Sequence, residues 1–235
     1  MAAFLKKYKR MILFMLVYWF ICFIMLFADG SFLYAMLSWN TLLAVLPLFF
    51  IKKTEITCEQ GKTSWSFLWM ILWLLFFPNS VYMVTDFIHI SGDKFLWIVE
   101  AEKYSPNRGV VYGTDIIIWA KLLVIGIGFI FALLVGLESL YIFEQNVKKK
   151  ISKRIHWPVV LTVALLSAIG VYIGRFLRFN SWDILFRPMR LLKQVIAKID
   201  GFAVQFVFVF FLFVIGSYIL YKALREVINQ KSDWI

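Results

Sequence analysis

Two short stretches of the chain carry the polar side chains that could do chemistry. The first, PNSVYMVTDFIHI, runs from Pro78 to Ile90, and the second, GVYIGRFLRFNSWD, runs from Gly170 to Asp183. Each stretch lies at the end of a long apolar run, where a hydrophobic helix would end. The two stretches contain carboxylates, an imidazole and guanidinium groups, which are residue types of acid–base catalysis, metal binding and anion recognition.

In the first stretch, the polar residues follow a helical spacing. Four of them are separated by three, four and three residues: Asn79, Tyr82, Asp86 and His89. A helix that continues past Pro78 would place all four on one face. Pro78 would kink that helix and release a backbone carbonyl one turn back, which Asn79 could then satisfy. Asp86 and His89 are a candidate acid–base pair.

In the second stretch, the basic residues are spaced to share a face. Arg175 and Arg178 are three residues apart, and the guanidinium fork suits bidentate binding of a phosphate or another anion. Asn180 and Asp183 follow, and we expect them to orient the site together with Asn79 and Tyr82.

Two glycines precede these arginines. Gly170 and Gly174 are four residues apart, a pattern of small residues that allows close packing of helices.

Several kinds of site fit these residues. Asp86 and His89, with Asp183, could ligate a divalent metal that activates water. The same Asp86 and His89 could instead be an acid–base pair while the two arginines hold an anion. The groups could also bind an anionic substrate or lipid headgroup without chemistry. The structural alternative is an ion bridge between Asp86 and Arg175 or Arg178, with arginines that extend to the interface.

The composition indicates the environment in which the protein lies. The chain has 235 residues, of which 62% are hydrophobic, and its mean hydropathy is +0.81. A soluble domain is about half apolar, so the expected environment is a lipid bilayer. The net charge of +11 is explained by basic loops at a membrane surface, and no nucleic-acid partner is expected. Motifs for nucleotide hydrolysis, zinc proteolysis and serine hydrolysis are absent from the sequence.

Six apolar runs predict an all-α, polytopic membrane protein. They lie at about 11–28, 32–51, 65–85, 115–142, 158–176 and 202–221, and a membrane helix needs about 20 residues. Because long apolar runs without alternation exclude a β-barrel, we predict one transmembrane helical domain over residues 1–235. With the N-terminus in the cytoplasm, fifteen Lys and Arg residues lie inside and nine outside. That bias predicts that both termini are cytoplasmic.

Six of the outer basic residues lie between Arg175 and Lys198. In the same region, apolar residues recur at helical spacing: Leu185, Met189, Leu192, Ile196 and Ile199. This pattern predicts an amphipathic helix in the membrane interface, although Pro188 would break a helix interior. The alternative is a plain linker that returns the chain to the membrane.

The two stretches resemble the motifs of a bacterial family of integral membrane proteins known as domain of unknown function 1361. Members look like LPNxxYxxTDxxH followed much later by GRFxRxNSWD. The first motif matches at Pro78, Asn79, Tyr82, Thr85, Asp86 and His89, and the second at Gly174, Arg175, Phe176, Arg178, Asn180, Ser181, Trp182 and Asp183. Phe77 replaces the leading leucine. The resemblance implies a multi-pass protein of the bacterial plasma membrane, and it supplies no reaction.

The sequence therefore predicts a polar site on the extracytoplasmic side. There the protein would bind, and in a catalytic version process, an anionic lipid-linked or small substrate. A divalent metal is the one cofactor that the residue types suggest. The alternatives are a small transporter or carrier, and a structural subunit that assembles with another membrane protein.

Overall fold

The computed structural model describes residues 8–100, 109–150, 154–179, 181, 186 and 188–232, and most of these are helical. The helices are α1 Lys9–Ala28, α2 Leu33–Glu59, α3 Thr63–Phe76, α4 Pro78–Tyr82, α5 Ile116–Lys150, α6 His156–Tyr172, α7 Pro188–Ala197 and α8 Gly201–Ser232. A 3₁₀-helix, Met83–Ile90, follows α4, and a π-helix, Ile173–Leu177, follows α6. Two short strands, β1 Leu96–Ile98 and β2 Val110–Tyr112, pair antiparallel.

Six helical segments within these residues are long and apolar enough to cross a membrane, by length and composition. They are Lys9–Ala28, Leu33–Glu59, Thr63–Ile90, Ile116–Lys149, His156–Leu177 and Gly201–Asn229. Large apolar side chains such as Phe208, Leu212 and Leu220 on α8 are more than half exposed. Such a surface is suited to hydrocarbon rather than water. The predicted fold class, an all-α protein with six membrane-spanning helices, is confirmed, and the hairpin of β1 and β2 is an addition to it.

The chain forms two compact units. Unit 1 consists of Met1–Trp39 and Val84–Phe129, and unit 2 consists of Asn40–Met83 and Ile130–Ile235. The prediction of one transmembrane domain over residues 1–235 stays a prediction.

Polar contacts inside unit 1 connect its helices. The Tyr18 hydroxyl on α1 donates to the Val124 carbonyl on α5 at 3.2 Å. Lys121 on α5 forms an ion pair with Asp93, with Nζ and Oδ2 3.0 Å apart. Lys121 lies within an apolar helix, and a buried ammonium group requires a counter-charge or water. The ion pair supplies that counter-charge from the loop after the 3₁₀-helix.

The core of unit 2 lies where α6 packs against α4 and α8. Val81, Ala164, Val171 and Val214 are buried there. On the neighbouring helices, the Trp73 indole of α3 donates to the Ser139 hydroxyl of α5 at 3.2 Å. The packing of α6 against α4 places the C-terminal end of α6 beside Pro78 and Tyr82. It brings the beginning of the first polar stretch and the second polar stretch together within unit 2.

The amphipathic segment after the second stretch does contain a helix. Within the described residues, helix α7 extends over Pro188–Ala197, and Phe186 before it is also helical. Met189, Leu192 and Ile196 are exposed at 65%, 52% and 63%, and they lie on one side of the helix because they are three and four residues apart. Leu185 lies outside the described residues.

Candidate functional site

The helix through the first stretch is interrupted at Pro78. Helix α3 ends at Phe76 and α4 begins at Pro78. The Ser80 amide donates to the Phe77 carbonyl at 3.1 Å, one residue short of the α-helical partner, which would be Phe76. The Asn79 side-chain amide donates to that Phe76 carbonyl at 2.9 Å. Asn79 therefore satisfies a backbone group that the irregular turn releases, in agreement with its predicted role beside the proline.

Helix α6 also ends irregularly, in the π-helix that contains Gly174 and Arg175. π-helical turns are rare and are frequently found at functional sites. Arg178 closes this turn with φ 57° and ψ 34°, and its N–H donates to the Ile173 carbonyl. It is the one described residue other than glycine with a positive φ. A left-handed arginine costs free energy, and here it ends the π-helix directly after the span.

Two glycines let α6 approach α4 closely. A Cβ atom added at Gly170 would lie 2.7 Å from Cγ of Pro78 and 2.9 Å from its Cβ. A Cβ atom at Gly174 would lie 3.3 Å from the Tyr82 ring. The glycines are four residues apart on one helix, and Pro78 and Tyr82 are four apart on the other. The small-residue pattern therefore matches a close contact between the two motif-bearing stretches.

Two side-chain hydrogen bonds join these stretches directly. The Asn79 side-chain amide donates to the Ser181 hydroxyl at 3.0 Å. Nη1 of Arg175 donates to the Tyr82 hydroxyl at 3.3 Å, and its guanidinium lies 5.6 Å from the centroid of the Tyr82 ring. Four motif residues that are far apart in the sequence thus form one polar cluster, which we call the motif cluster: Asn79, Tyr82, Arg175 and Ser181.

Arg178 is a second arginine, three residues after Arg175 of the motif cluster. Its side chain is exposed, whereas that of Arg175 is half-buried. Arg175 lies near the end of the candidate span His156–Leu177, and Arg178 directly follows that span. The ends of membrane-spanning helices meet the layer of lipid phosphates and headgroups. An arginine held by an aromatic hydroxyl and a second, exposed arginine nearby in the chain could together bind an anion from that layer.

Asp86 and His89 lie in unit 1, on the 3₁₀-helix. Asp86 is 3% exposed and close enough to Tyr18 to interact with it electrostatically. His89 is exposed. Among the described residues, no hydrogen bond or ion pair connects His89 with Asp86. The change from an α-helix to a 3₁₀-helix after Tyr82 also ends the single helical face that was expected for all four residues of the first stretch.

Asn180 and Asp183, which were predicted to orient the site, lie outside the described residues. The predicted metal ligands can therefore be compared with the structure only in part. Within the described ranges, no group of three or more His, Cys, Asp and Glu side chains is arranged to hold a metal ion.

A second polar cluster was not predicted. Glu144 on α5 is completely buried, and its carboxylate is bound by side chains from α5, α6 and α8: Lys148, His156, Tyr218 and Lys222. Glu138, on the same helix, forms an ion pair with Arg225 and accepts a hydrogen bond from Tyr221. The feature of the sequence that could have indicated this cluster is an acidic residue close to the end of an apolar helix.

The helices and the motif cluster define the class of protein, which is a multi-pass helical membrane protein with polar groups at the joined ends of two spans. A family model supports a more specific assignment, because the family described as Protein of unknown function (DUF1361) matches residues 39–216. The chain belongs to this family, and the matched region contains both polar stretches. Comparison with curated proteins finds no match, and neither does comparison with solved structures.

Proposed function

We propose that this membrane protein binds an anionic lipid headgroup, or the charged part of a lipid-linked or small substrate, at the motif cluster. Arg175 and Arg178 hold the anion, and Asn79 and Tyr82 fix the geometry from the facing stretch. The observation that supports this most is the pair of hydrogen bonds between the stretches, from Asn79 to Ser181 and from Arg175 to Tyr82.

The held position of Arg175 favours binding. A long side chain loses conformational entropy when it is ordered on a ligand. Arg175 already has its guanidinium against the Tyr82 ring and hydroxyl, so part of that cost is met before the ligand arrives. The guanidinium has five N–H donors, and the hydrogen bond to Tyr82 uses one of them. A guanidinium fork also matches the oxygens of a phosphate or carboxylate.

The surroundings of the motif cluster are basic and suited to a membrane surface. Residues 175–198 contain six Lys and Arg residues and one acidic residue, Asp183. Helix α7 contributes Arg190 and Lys193 beside its exposed apolar side. A helix of this kind lies in the interface plane with its apolar side toward the acyl chains and its basic side toward lipid phosphates. It would raise the local concentration of anionic headgroups next to Arg175.

The orientation is part of the proposal. The bias of Lys and Arg places both termini in the cytoplasm and the motif cluster on the extracytoplasmic side of a bacterial plasma membrane. A single cysteine placed at Arg154, in protein whose native cysteines are replaced by alanine, should resist an impermeant thiol reagent in intact cells. A cysteine at Arg190 should react. The opposite labelling pattern would invert the topology.

Processing of the bound molecule stays a prediction. Asp86 and His89 would be the acid–base pair, or ligands of a divalent metal, and Asn180 and Asp183 would orient them. An enzyme of this kind loses turnover and keeps its fold on His89→Ala. A transporter instead moves the anion across the membrane. An assembly subunit loses stability or its membrane-protein partner when the motif cluster is changed, without any effect on a small ligand.

The binding proposal can be tested with purified protein in nanodiscs that contain phosphatidylcholine and a titrated fraction of phosphatidylglycerol. We expect Arg178→Gln to weaken retention of phosphatidylglycerol about tenfold, the effect of losing one charge-assisted hydrogen bond. Lys62→Gln is the matched control, because it removes one exposed positive charge outside the motif cluster, in the loop between α2 and α3. Equal affinity in Arg178→Gln and the wild type would refute the proposal.

A further inference from the structure

The buried Glu144 carboxylate organises a second cluster, at the opposite end of α6. Oε2 accepts a hydrogen bond from the Tyr218 hydroxyl at 2.5 Å. Oε1 lies 3.0 Å from Nζ of Lys148 and 3.1 Å from Nζ of Lys222. Nε2 of His156 is 3.4 Å from the same oxygen. Three helices thus meet at one carboxylate, and we call this group the Glu144 cluster.

The positive charge in the Glu144 cluster exceeds the negative charge. One carboxylate faces two ammonium groups, so the cluster carries a net charge of +1 before any protonation of His156. The side chains of Lys148 and Lys222 are 26% and 18% exposed, and that of Glu144 is 0% exposed. An excess charge that is mostly removed from water is unfavourable unless an anion compensates it.

The ammonium groups of the lysines have more hydrogen-bond donors than Glu144 accepts. Each ammonium group has three N–H donors, and Glu144 accepts one from each. Lys222 additionally lies 4.9 Å from the Trp157 ring centroid and 5.6 Å from that of Tyr218, which stabilises its charge and holds its position. The partial exposure of both lysines leaves a path by which a ligand oxygen can reach these donors.

The depth of the Glu144 cluster fits a lipid phosphate. Glu144 is five residues before the end of its span at Lys149, which is about 8 Å along the helix axis. His156 is the first residue of its span. The headgroup layer extends about 5–8 Å beyond the hydrocarbon on each side, within reach of a lysine side chain. The sequence from Lys148 to Arg154 is also basic, with five Lys and Arg residues and no acidic residue.

We propose that Lys148, Lys222 and His156 form a binding site for a phosphate group, and that Glu144 is the positioning residue that holds the two lysines together. The ligand is the phosphate of an anionic phospholipid in the adjacent leaflet or a free phosphate ion. In both cases the ammonium groups donate to its oxygens, and its negative charge balances the cluster. This site is independent of the motif cluster and of the orientation of the protein.

The test uses the full chain in a nonionic detergent, with phosphatidylglycerol and inorganic phosphate as separate probes. Native mass spectrometry counts bound lipid, and thermal unfolding reports stabilisation by either probe. The measurements are made in an Arg178→Gln background, which weakens the proposed binding at the motif cluster about tenfold, and the variants described below assign the binding that remains. We expect saturable binding of at least one probe. Binding of phosphatidylglycerol alone would identify a lipid site, and stabilisation by inorganic phosphate as well would show that the phosphate group is sufficient.

Three variants connect the binding to these residues. Lys148→Gln should weaken binding about tenfold, and Lys149→Gln should leave it unchanged, because Lys149 is the adjacent residue with an exposed side chain and is not paired with Glu144. Glu144→Gln keeps the shape and removes the negative charge, so the added probe should bind more tightly and raise the Tm by more than in the Glu144-containing protein.

Three results would overturn the proposal. The first is that neither probe binds to protein with the Glu144 cluster intact, a measurement that needs no variant of the cluster. The second is an equal loss of binding in Lys148→Gln and Lys149→Gln, which would indicate that the basic residues from Lys148 to Arg154 attract the probe without a specific site. A Glu144→Gln protein that is destabilised and gains no stability from either probe would also identify a purely structural ion network.

Discussion

Replacing Gly170 by alanine tests whether close packing of α6 on Pro78 assembles the motif cluster. The added Cβ atom would lie 2.7 Å from Cγ of Pro78. An ordinary contact of this kind begins at about 3.4 Å, so the two stretches must separate by about 0.7 Å or the proline ring must move. Overpacking of this size lowers the free energy of unfolding by about 1–3 kcal/mol. The proline ring is rigid and lies within the backbone, so it has little freedom to relieve the contact.

The matched control is Gly216→Ala on α8. A Cβ atom at Gly216 would have no heavy atom within 4 Å, and both glycines lie inside helices of unit 2. Both variants gain about 1 kcal/mol of helix propensity. The difference between them therefore isolates the contact with Pro78. We expect Gly216→Ala to be at least as stable as the wild type, and Gly170→Ala to be less stable than Gly216→Ala by about 1–3 kcal/mol.

The assay is thermal unfolding of the purified proteins in one detergent, together with retention of phosphatidylglycerol. Separation of α6 from α4 should lengthen the hydrogen bond between Arg175 and Tyr82, now 3.3 Å, and so weaken lipid retention in Gly170→Ala alone. Equal Tm values for the two alanine variants would falsify the packing argument. A lower Tm with unchanged lipid retention would separate the packing of the helices from the proposed binding function.

Two further predictions concern individual polar contacts, and thermal unfolding measures both. Asn79→Ala should lower the free energy of unfolding by about 1–3 kcal/mol, because it removes two hydrogen bonds and leaves the Phe76 carbonyl without its side-chain donor. Ser181→Ala removes one hydrogen bond and should lower the free energy of unfolding by about 1 kcal/mol. In unit 1, Lys121→Met should lower the free energy of unfolding by about 3 kcal/mol, because the mostly buried Asp93 carboxylate loses its counter-charge. The double variant Lys121→Met/Asp93→Leu should recover much of that loss, because no unpaired charge is left.

Each of these predictions has a result that contradicts it. Equal losses in Asn79→Ala and Ser181→Ala would mean that the Phe76 carbonyl finds another donor. A double variant at Lys121 and Asp93 that is less stable than Lys121→Met would show that Asp93 has a second stabilising role.

The number of spans was predictable because apolar runs long enough to cross a membrane are a local property of the sequence. The spacing of Gly170 and Gly174 predicted a close contact between helices, and the structure shows that Gly170 lies against Pro78. The single face from Asn79 to His89 was predicted on the assumption of one continuous α-helix. After Tyr82 the backbone instead forms a 3₁₀-helix, and its three residues per turn move Asp86 off the face of Asn79 and Tyr82. Asp86 is buried in unit 1, and His89 is exposed.

The Glu144 cluster shows why some contacts were not predictable. Glu144 and Tyr218 are 74 residues apart in the sequence, and nothing in the local pattern of either helix indicates that they meet. Lys148 is four residues from Glu144 on α5, but only the packing of α5, α6 and α8 brings the hydroxyl, Lys222 and the imidazole to the same carboxylate.

The sequence by itself determined the membrane class, the six apolar spans and the two polar stretches, because hydrophobicity and residue type act residue by residue. The tertiary structure alone decided the partners: Asn79 with Ser181, and Tyr82 with Arg175, which are 102 and 93 residues apart. The physical reason is that hydrogen bonds and charge compensation depend on distances of a few ångströms between side chains. Those distances are set by the irregular turns at Pro78 and after α6, and by how closely glycines let the helices approach.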